Sequence, residues 1–440
     1  MLEPPSPDQR FCRWRARLIA CCISCTTSRF GPSVHISCST GWWWRRVGPL
    51  ASLTIMRVVV VGAGIVGTAV AALRAPKDEV LVLDQGGPEL AGSTGHAPGF
   101  IGEYGGDPVA TELAVATTRA LERLADGDPA LFERVGCLEI ATGPDGVPAL
   151  EERLADAREQ GLEAELLTAT EAAARAPELV DPARTEAALL FPRDAVADAR
   201  GLTARLRARA ETAGAEFVFD TPVTSIELAD DGVRLGTPGG PVAADRVVFC
   251  TGVWTAALTD LLGLRCPVVP VRHPYAWGAR VPAPAVTEPF VRFPAQHVYA
   301  RWHGERWGFG SYGHPPETVE MSTRDRADLS WDGRFDPVLT EARALTARPD
   351  LLTPERRLDG VFAVTPDNLP LVGRFTDRIA VAAAVWVTHS VGAAQALDRV
   401  LDDRATDSDR RLDPLRFATG DPQLLHRQAI AHYNDIYTRG

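Results

Sequence analysis

The chain has 440 residues, of which 45% are hydrophobic and 23% charged, enough for two cores rather than one. Its formal charge is −11, but residues 1–55 hold seven Arg against two acids, so the remainder stands at −16. That balance excludes nucleic acid and an anionic membrane surface as expected partners, and no apolar run approaches the ~18 residues of a membrane span.

Residues 1–55 differ in composition from the rest, with five of the eight cysteines and Trp42-Trp43-Trp44 in a row. Leu18-Ile19-Ala20-Cys21 imitates a lipoprotein box, yet Arg13, Arg15 and Arg17 occupy its apolar stretch. Arg45-Arg46 imitates a twin-arginine signal, but the next residues run straight into a strand. The favoured reading is that synthesis begins at Met56, with residues 1–55 disordered or absent from the native protein. Without them only Cys137, Cys250 and Cys266 remain, which fits a reducing cytoplasm and neither a disulfide frame nor a metal cluster.

Val58–Val61 reads as a buried strand, and Gly62-Ala63-Gly64-Ile65-Val66-Gly67 as a G-x-G-x-x-G turn opening a helix. Gly62 permits the tight turn, Gly64 a close approach to a pyrophosphate, and Gly67 close packing of helix on strand. The helix start, with Ile65 and Val66, offers N–H groups to phosphate. Leu81-Val82-Leu83 is a second strand ending at Asp84, 22 residues after Gly62, followed by Gln85. There a carboxylate meets ribose hydroxyls and repels the extra phosphate of an NADP-type ligand. Strand, turn, helix and acid in this order predict dinucleotide binding. The small-residue loop Ala91 to Gly99, with Ser93, Thr94 and His96, suits a backbone pressed against a flat ring system.

Further on, helices are predicted over 107–126, 149–160, 168–175, 200–213 and 390–402, and a strand over 136–142. Residues 216–219 and 222–227, which include Val223, read as strands returning to the nucleotide domain. Arg246–Phe249 is a buried strand entering the turn at Thr251, Gly252 and Trp254. Tyr275–Trp277, Val298–Trp302 and Trp307–Tyr312 alternate aromatic and polar residues, as in an antiparallel sheet over a pocket. Residues 361–373 and 379–387 are expected to return to the nucleotide core.

The loop Gly92-Ser93-Thr94-Gly95-His96-Ala97-Pro98-Gly99 resembles the G-S-T-x-H-A-x-G of D-amino-acid-oxidase-like flavoproteins. Within that family it is most similar to the flavin domain of dimethylglycine oxidases and dehydrogenases and sarcosine dehydrogenase. Thr365-Pro366-Asp367-Asn368-Leu369-Pro370-Leu371-Val372-Gly373 is similar to the family's T-P-D-x-x-P-L-x-G, and Ala384 to Gly392 to its A-V-W-V-T-H-S-x-G. The resemblance covers nearly all of 56–440. It implies an α/β (α+β overall) fold, a Rossmann-like FAD-binding domain with an inserted antiparallel-sheet substrate domain. The expected FAD domain is 56–106, 190–270 and 355–405, the substrate domain 107–189 and 271–354, and 406–440 a C-terminal tail. It implies FAD bound covalently through His96, with Asp367, Thr388, His389 and Ser390 beside the flavin. Simple helix capping is the plainer role for Thr388, His389 and Ser390.

The resemblance also places His273, in Val271-Arg272-His273-Pro274-Tyr275, and Tyr299, in Val298-Tyr299-Ala300-Arg301, at the substrate amine. Hydride transfer to flavin needs an unprotonated amine, and histidine, with an ordinary pKa near 6.5, suits proton acceptance. Packing in an aromatic sheet is the alternative role for both. Arg272, Arg292 and Arg301 are candidates for a substrate carboxylate, unranked, although strand alternation puts Tyr299 and Arg301 on one face. Gly95 before His96 and Ala300 after Tyr299 depart from the relatives and leave the substrate open.

The expected reaction is FAD-dependent oxidation of the C–N bond of a small N-methylated amino acid or related amine, followed by hydrolysis of the iminium. Deamination of an amino acid is the sibling reading. The dimethylglycine enzymes continue into a folate-binding half where this sequence ends. The rival reading is therefore a flavin-carrying subunit working with a separately encoded folate-binding protein. A NAD-dependent reductase would leave His96 and the two late motifs unexplained.

Overall fold

Arg57–Val61 (β1) carries four consecutive valines, Val58–Val61, buried on both faces as in a central parallel strand. Val58 and Val60 face one core; Val59 and Val61 face another. Helix Ile65–Arg74 (α1) follows the glycine turn, and Glu79–Leu83 (β2) returns parallel to β1. The computed structural model describes residues 55–285, 287–322, 328–434 and 436, which fall in the compact unit Thr54–Gly440. The expectation for residues 1–55 lies outside the described residues, Ile55 excepted.

β1 belongs to a six-stranded sheet in the order Leu371–Arg374, Ile379–Ala383, Arg246–Phe249, β1, β2, Glu216–Val218. All neighbours pair in parallel except Leu371–Arg374 with Ile379–Ala383. On one face pack α1 and the helices Pro108–Ala125, Ala199–Thr212 and Ser390–Leu401. A three-stranded antiparallel sheet, Ser225–Ala229, Gly232–Thr237 and Gly240–Ala244, joins the core on the other face.

A nine-stranded sheet forms the second layer. Its order is Asp328–Leu329, Arg356–Val364, Val269–Arg280, Arg306–Ser311, Val298–Trp302, Phe290–Phe293, Cys137–Ala141, Ala187–Phe191, Glu165–Thr168. Pairing is antiparallel except between Phe290–Phe293 and Cys137–Ala141.

Three segments differ from the sequence expectation. Residues 225–229 return to the nucleotide core as expected, but pair within the small antiparallel sheet, and 222–224 lie outside that strand. Residues 356–364 pair with Val269–Arg280, so the chain crosses between sheets after Val364 and not before 361. An apolar strand reads the same whichever sheet accepts it. The stretch 406–440 is no mere tail: Asp407–Arg411 and Pro422–Asn434 are helices, and Tyr433 is fully buried. Cys137, Cys250 and Cys266 are buried free thiols. No helix among the described residues is long and apolar enough to cross a membrane.

Candidate active site

One cavity of about 810 Å³ runs from the glycine turn to the nine-stranded sheet, within the ~300–1,000 Å³ usual for cofactor and small-molecule sites. Gly62 and Gly64 line its nucleotide end, and the start of α1 follows directly with Ile65 and Val66. Gly62 takes φ +105°, and a methyl there would collide with the Cys250 carbonyl. Gly67 does not reach the cavity; a methyl there would overlap the Gly62 carbonyl, so it seats helix on turn.

Asp84 and Gln85 line the same end. The Asp84 carboxylate accepts from Ala63 N–H at 2.6 Å and Gly86 N–H at 2.8 Å, fixing the turn from the second strand. Burial raises its pKa against those two donors. Thr94 Oγ1 accepts from Ile65 N–H at 3.2 Å, so the 93–96 turn is tied to the helix start. Ser93 donates to the Val361 carbonyl at 2.9 Å, tying it to the nine-stranded sheet as well. His96 lines the cavity, and its Nδ1 lies 3.1 Å from the Gly92 carbonyl, which can only accept, so Nδ1 donates to it.

Val223, Thr251, Gly252 and Trp254 also line the cavity. Asp367 is held by Arg416 at 2.8 and 3.0 Å. Trp386 through His389 line the cavity where Ser390–Leu401 begins, placing that helix N-terminus toward it. Thr388 donates to the Gly102 carbonyl at 2.9 Å. Burial pushes His389 down to about 4, so it stays neutral. Ser390 is fully buried, does not line the cavity, and donates to the Val387 carbonyl at 2.8 Å; no side chain caps Ser390–Leu401, so the capping expectation is not met either.

The other end is built by sheet register. One transverse row reads Glu139, Arg292, Tyr299, Gly310, Tyr275, Leu358 on successive strands. Directly opposed residues share a face. His273 lies two residues before Tyr275, hence on that face too. Its Nε2 lies 2.8 Å from the Tyr299 hydroxyl, and loss of hydration holds it well below the ordinary histidine range. Phe362 meets His273 edge-on and Tyr312 stacks on it, with ring centres 5.6 and 4.2 Å away. A second pair, Tyr275 and His303, is 2.7 Å apart.

The same alternation sorts the three arginines. Arg272 points to the other face, into an ion pair with buried Asp359. Arg301 shares the face but donates to the Pro98 and Gly99 carbonyls at 2.9 and 3.0 Å, securing the loop after His96. Arg292 lines the cavity, 3.3 Å from buried Glu139 and 4.1 Å over the Phe100 ring. Sequence reading missed Arg153, which also lines the cavity and binds Glu139 at 2.7 Å, and Tyr104, His432 and Ile436. It also missed Gly308 and Gly310, although two glycines at alternate positions in a strand signal a close approach.

A dinucleotide turn, an acid at the second strand, a helix start aimed at the far end and an aromatic floor define a dinucleotide-binding redox enzyme. A profile of the family described as FAD dependent oxidoreductase matches residues 57–399, and the chain belongs to that family. Among its relatives, dimethylglycine dehydrogenase of Rattus norvegicus is 25% identical over 82% of this chain and 44% of its own length. Sarcosine dehydrogenase of Homo sapiens is 26% identical over 64% of this chain and 32% of its own. The chain thus spans less than half of these relatives. Glycine oxidase of Geobacillus kaustophilus is 29% identical over 73% of this chain and 85% of its own. The fold matches L-proline dehydrogenase from P. horikoshii with TM-score 0.74 and 21% identity, covering 83% of this chain and 99% of that one.

Proposed function

We propose that this chain oxidises the C–N bond of a small N-methylated amino acid or related amine, with FAD held covalently through His96. The observation that carries it is the transverse row that sets Arg292 beside Tyr299, with the neutral His273 behind the phenol. Bound FAD supplies the hydride acceptor. Arg292 holds the carboxylate as a charge-assisted pair, and the phenol meets the nitrogen. The aromatic walls of Phe290, Tyr312 and Phe362 exclude water and accept N-methyl groups. Neutral His273 keeps a proton acceptor near the amine, which must lose its proton before it can react.

The six-stranded sheet and its glycine turn serve the nucleotide, and the nine-stranded sheet serves the substrate. For the covalent link, Nδ1 of His96 is engaged by the Gly92 carbonyl, which supports Nε2 as the attaching nitrogen. The names of two relatives, dimethylglycine and sarcosine dehydrogenase, support the substrate class. Anaerobic mixing with dimethylglycine, sarcosine, glycine and proline, followed by loss of flavin absorbance, tests it. Fastest reduction by the N-methylated pair is expected. Reduction by glycine alone would replace this reading with deamination of a primary amino acid.

A further inference from the structure

Behind Tyr299 and His273 runs a line of polar groups that ends on the far side of the sheet. His273 Nδ1 lies 3.1 Å from the Tyr433 hydroxyl, which lies 2.7 Å from His314 Nε2. His314 Nδ1 in turn lies 2.8 Å from the Pro315 carbonyl. The direction of every hydrogen is set from that end. A carbonyl only accepts, so His314 Nδ1 carries hydrogen and its neutral ring has a lone pair at Nε2. Tyr433 faces two acceptors, His314 Nε2 at 2.7 Å and the Arg272 carbonyl at 3.1 Å, and its one hydrogen is assigned to the shorter contact. The Tyr433 oxygen therefore accepts from His273 Nδ1–H. That leaves a lone pair on His273 Nε2, and Tyr299 must donate to it. The Tyr299 hydrogen points away from the cavity, and its oxygen acts there as an acceptor.

We infer that Tyr433 and His314 are positioning residues of a proton relay that makes the Tyr299 oxygen the acceptor of the proton a substrate ammonium must lose. The inference rests on the amine-oxidation reading of this site. The ammonium N–H bond breaks as a new Tyr299 O–H bond forms. The original Tyr299 hydrogen moves to His273 Nε2, the His273 Nδ1 hydrogen to Tyr433, and the Tyr433 hydrogen to His314 Nε2. The substrate loses one proton, His314 gains one, and no electrons move.

The charge ends where it is best tolerated. His273 sits among the rings of Tyr299, Tyr312, Phe362 and Tyr433, which give a cation no hydrogen-bonding carboxylate. His314 is also buried, beside Phe335 with ring centres 4.7 Å apart, but Glu317 and Asp359 offset part of the cost of a charge there. Two cations share that region: Arg272 is paired with Asp359, Glu317 and Asp332, and Arg334 with Glu317 and Asp332.

Two measurements on the FAD-loaded full chain test the relay. Long-range nitrogen NMR on ¹⁵N-histidine protein, without substrate, reads the ring tautomers, with His273→Gln and His314→Gln giving the assignments. Nδ1–H is expected at both; Nε2–H at either overturns the relay and leaves amine oxidation standing. The second is the pH profile of flavin reduction by dimethylglycine in Tyr433→Phe. Its acid limb should move up by about one pH unit, an about 10-fold loss below the limb, with the alkaline plateau kept within about threefold. An unmoved limb, or an equal loss at every pH, overturns the relay. His314→Gln should shift the limb likewise and decides the matter if Tyr433→Phe fails to fold. No reduction of the unaltered protein by any amine would instead overturn the functional reading.

Discussion

Gly310 stands directly across from Tyr299 in the antiparallel pair, and a methyl on it would lie 2.6 Å from the phenol oxygen. Gly308 keeps the same clearance, 2.6 Å, for the Tyr275 hydroxyl. Neither glycine has a left-handed backbone, so the constraint is space and not conformation. Gly310→Ala is therefore expected to fold and bind flavin while displacing the phenol. Flavin reduction should fall about 10²-fold, the effect of misplacing a reacting group by ~1 Å. Stopped-flow absorbance checks it; an unchanged rate would mean the Tyr299 oxygen plays no part.

Tyr299→Phe and His273→Gln remove the two ends of the 2.8 Å contact. Each should slow reduction about 10²-fold or more, the usual contribution of a positioned proton-transfer group. The ratio of flavin to protein absorbance should stay at its original value, since neither residue braces the glycine turn. Loss of flavin from both variants would reassign the pair to structure.

Arg292→Gln should weaken binding of carboxylate substrates by about 10- to 100-fold, the worth of a hydrogen bond to a charged group. An amine lacking the carboxylate should be unaffected by it. Arg301→Gln should instead loosen the 98–99 loop and lower thermal stability, because its guanidinium serves the Pro98 and Gly99 carbonyls as well as that of Trp302. Equal KM values for Arg292→Gln and the original would move the carboxylate site to Arg153.

Acid precipitation should leave yellow colour in the pellet, and His96→Ala should release it to the supernatant. Colour in the supernatant of the unaltered protein would end the covalent assignment while leaving the rest of the site standing.

His389 has its pKa lowered from 6.5 to about 4 by burial. A depressed folded value means the unfolded chain binds the proton more tightly. The stability this neutral ring contributes is complete above 6.5 and is lost as pH falls toward about 4. Loss over that window should be on the order of 1 to 3 kcal/mol, and His389→Gln should flatten it. Thermal melts across the window measure both; parallel curves for the two proteins would contradict the assignment.

The nucleotide end was legible because its requirements are local. Gly62, Gly64 and Gly67 meet backbone geometry within six residues, and Asp84 needs only one strand, helix and strand to reach the turn. His96 follows on the same loop. Of the second sheet, alternation made Tyr275–Trp277, Val298–Trp302 and Trp307–Tyr312 legible as antiparallel strands over a pocket, but Glu165–Thr168, Ala187–Phe191 and Phe290–Phe293 were not read as strands. Nor was the sheet of residues 356–364 legible, because their apolar pattern serves either layer and only pairing with Val269–Arg280 decides.

The substrate end needed the three-dimensional arrangement. Arg272, Arg292 and Arg301 are chemically identical in a sequence. What separates them is which strand face each takes and which partner waits there: Asp359, Glu139 or the Pro98 carbonyl. Tyr433, 160 residues from His273, reaches it through a helix in a stretch that reads as a tail. The turn that cradles a dinucleotide is written in the residues themselves, since local backbone sterics act within a few positions. Register, which is a property of pairs of distant strands, decided which side chains face the cavity.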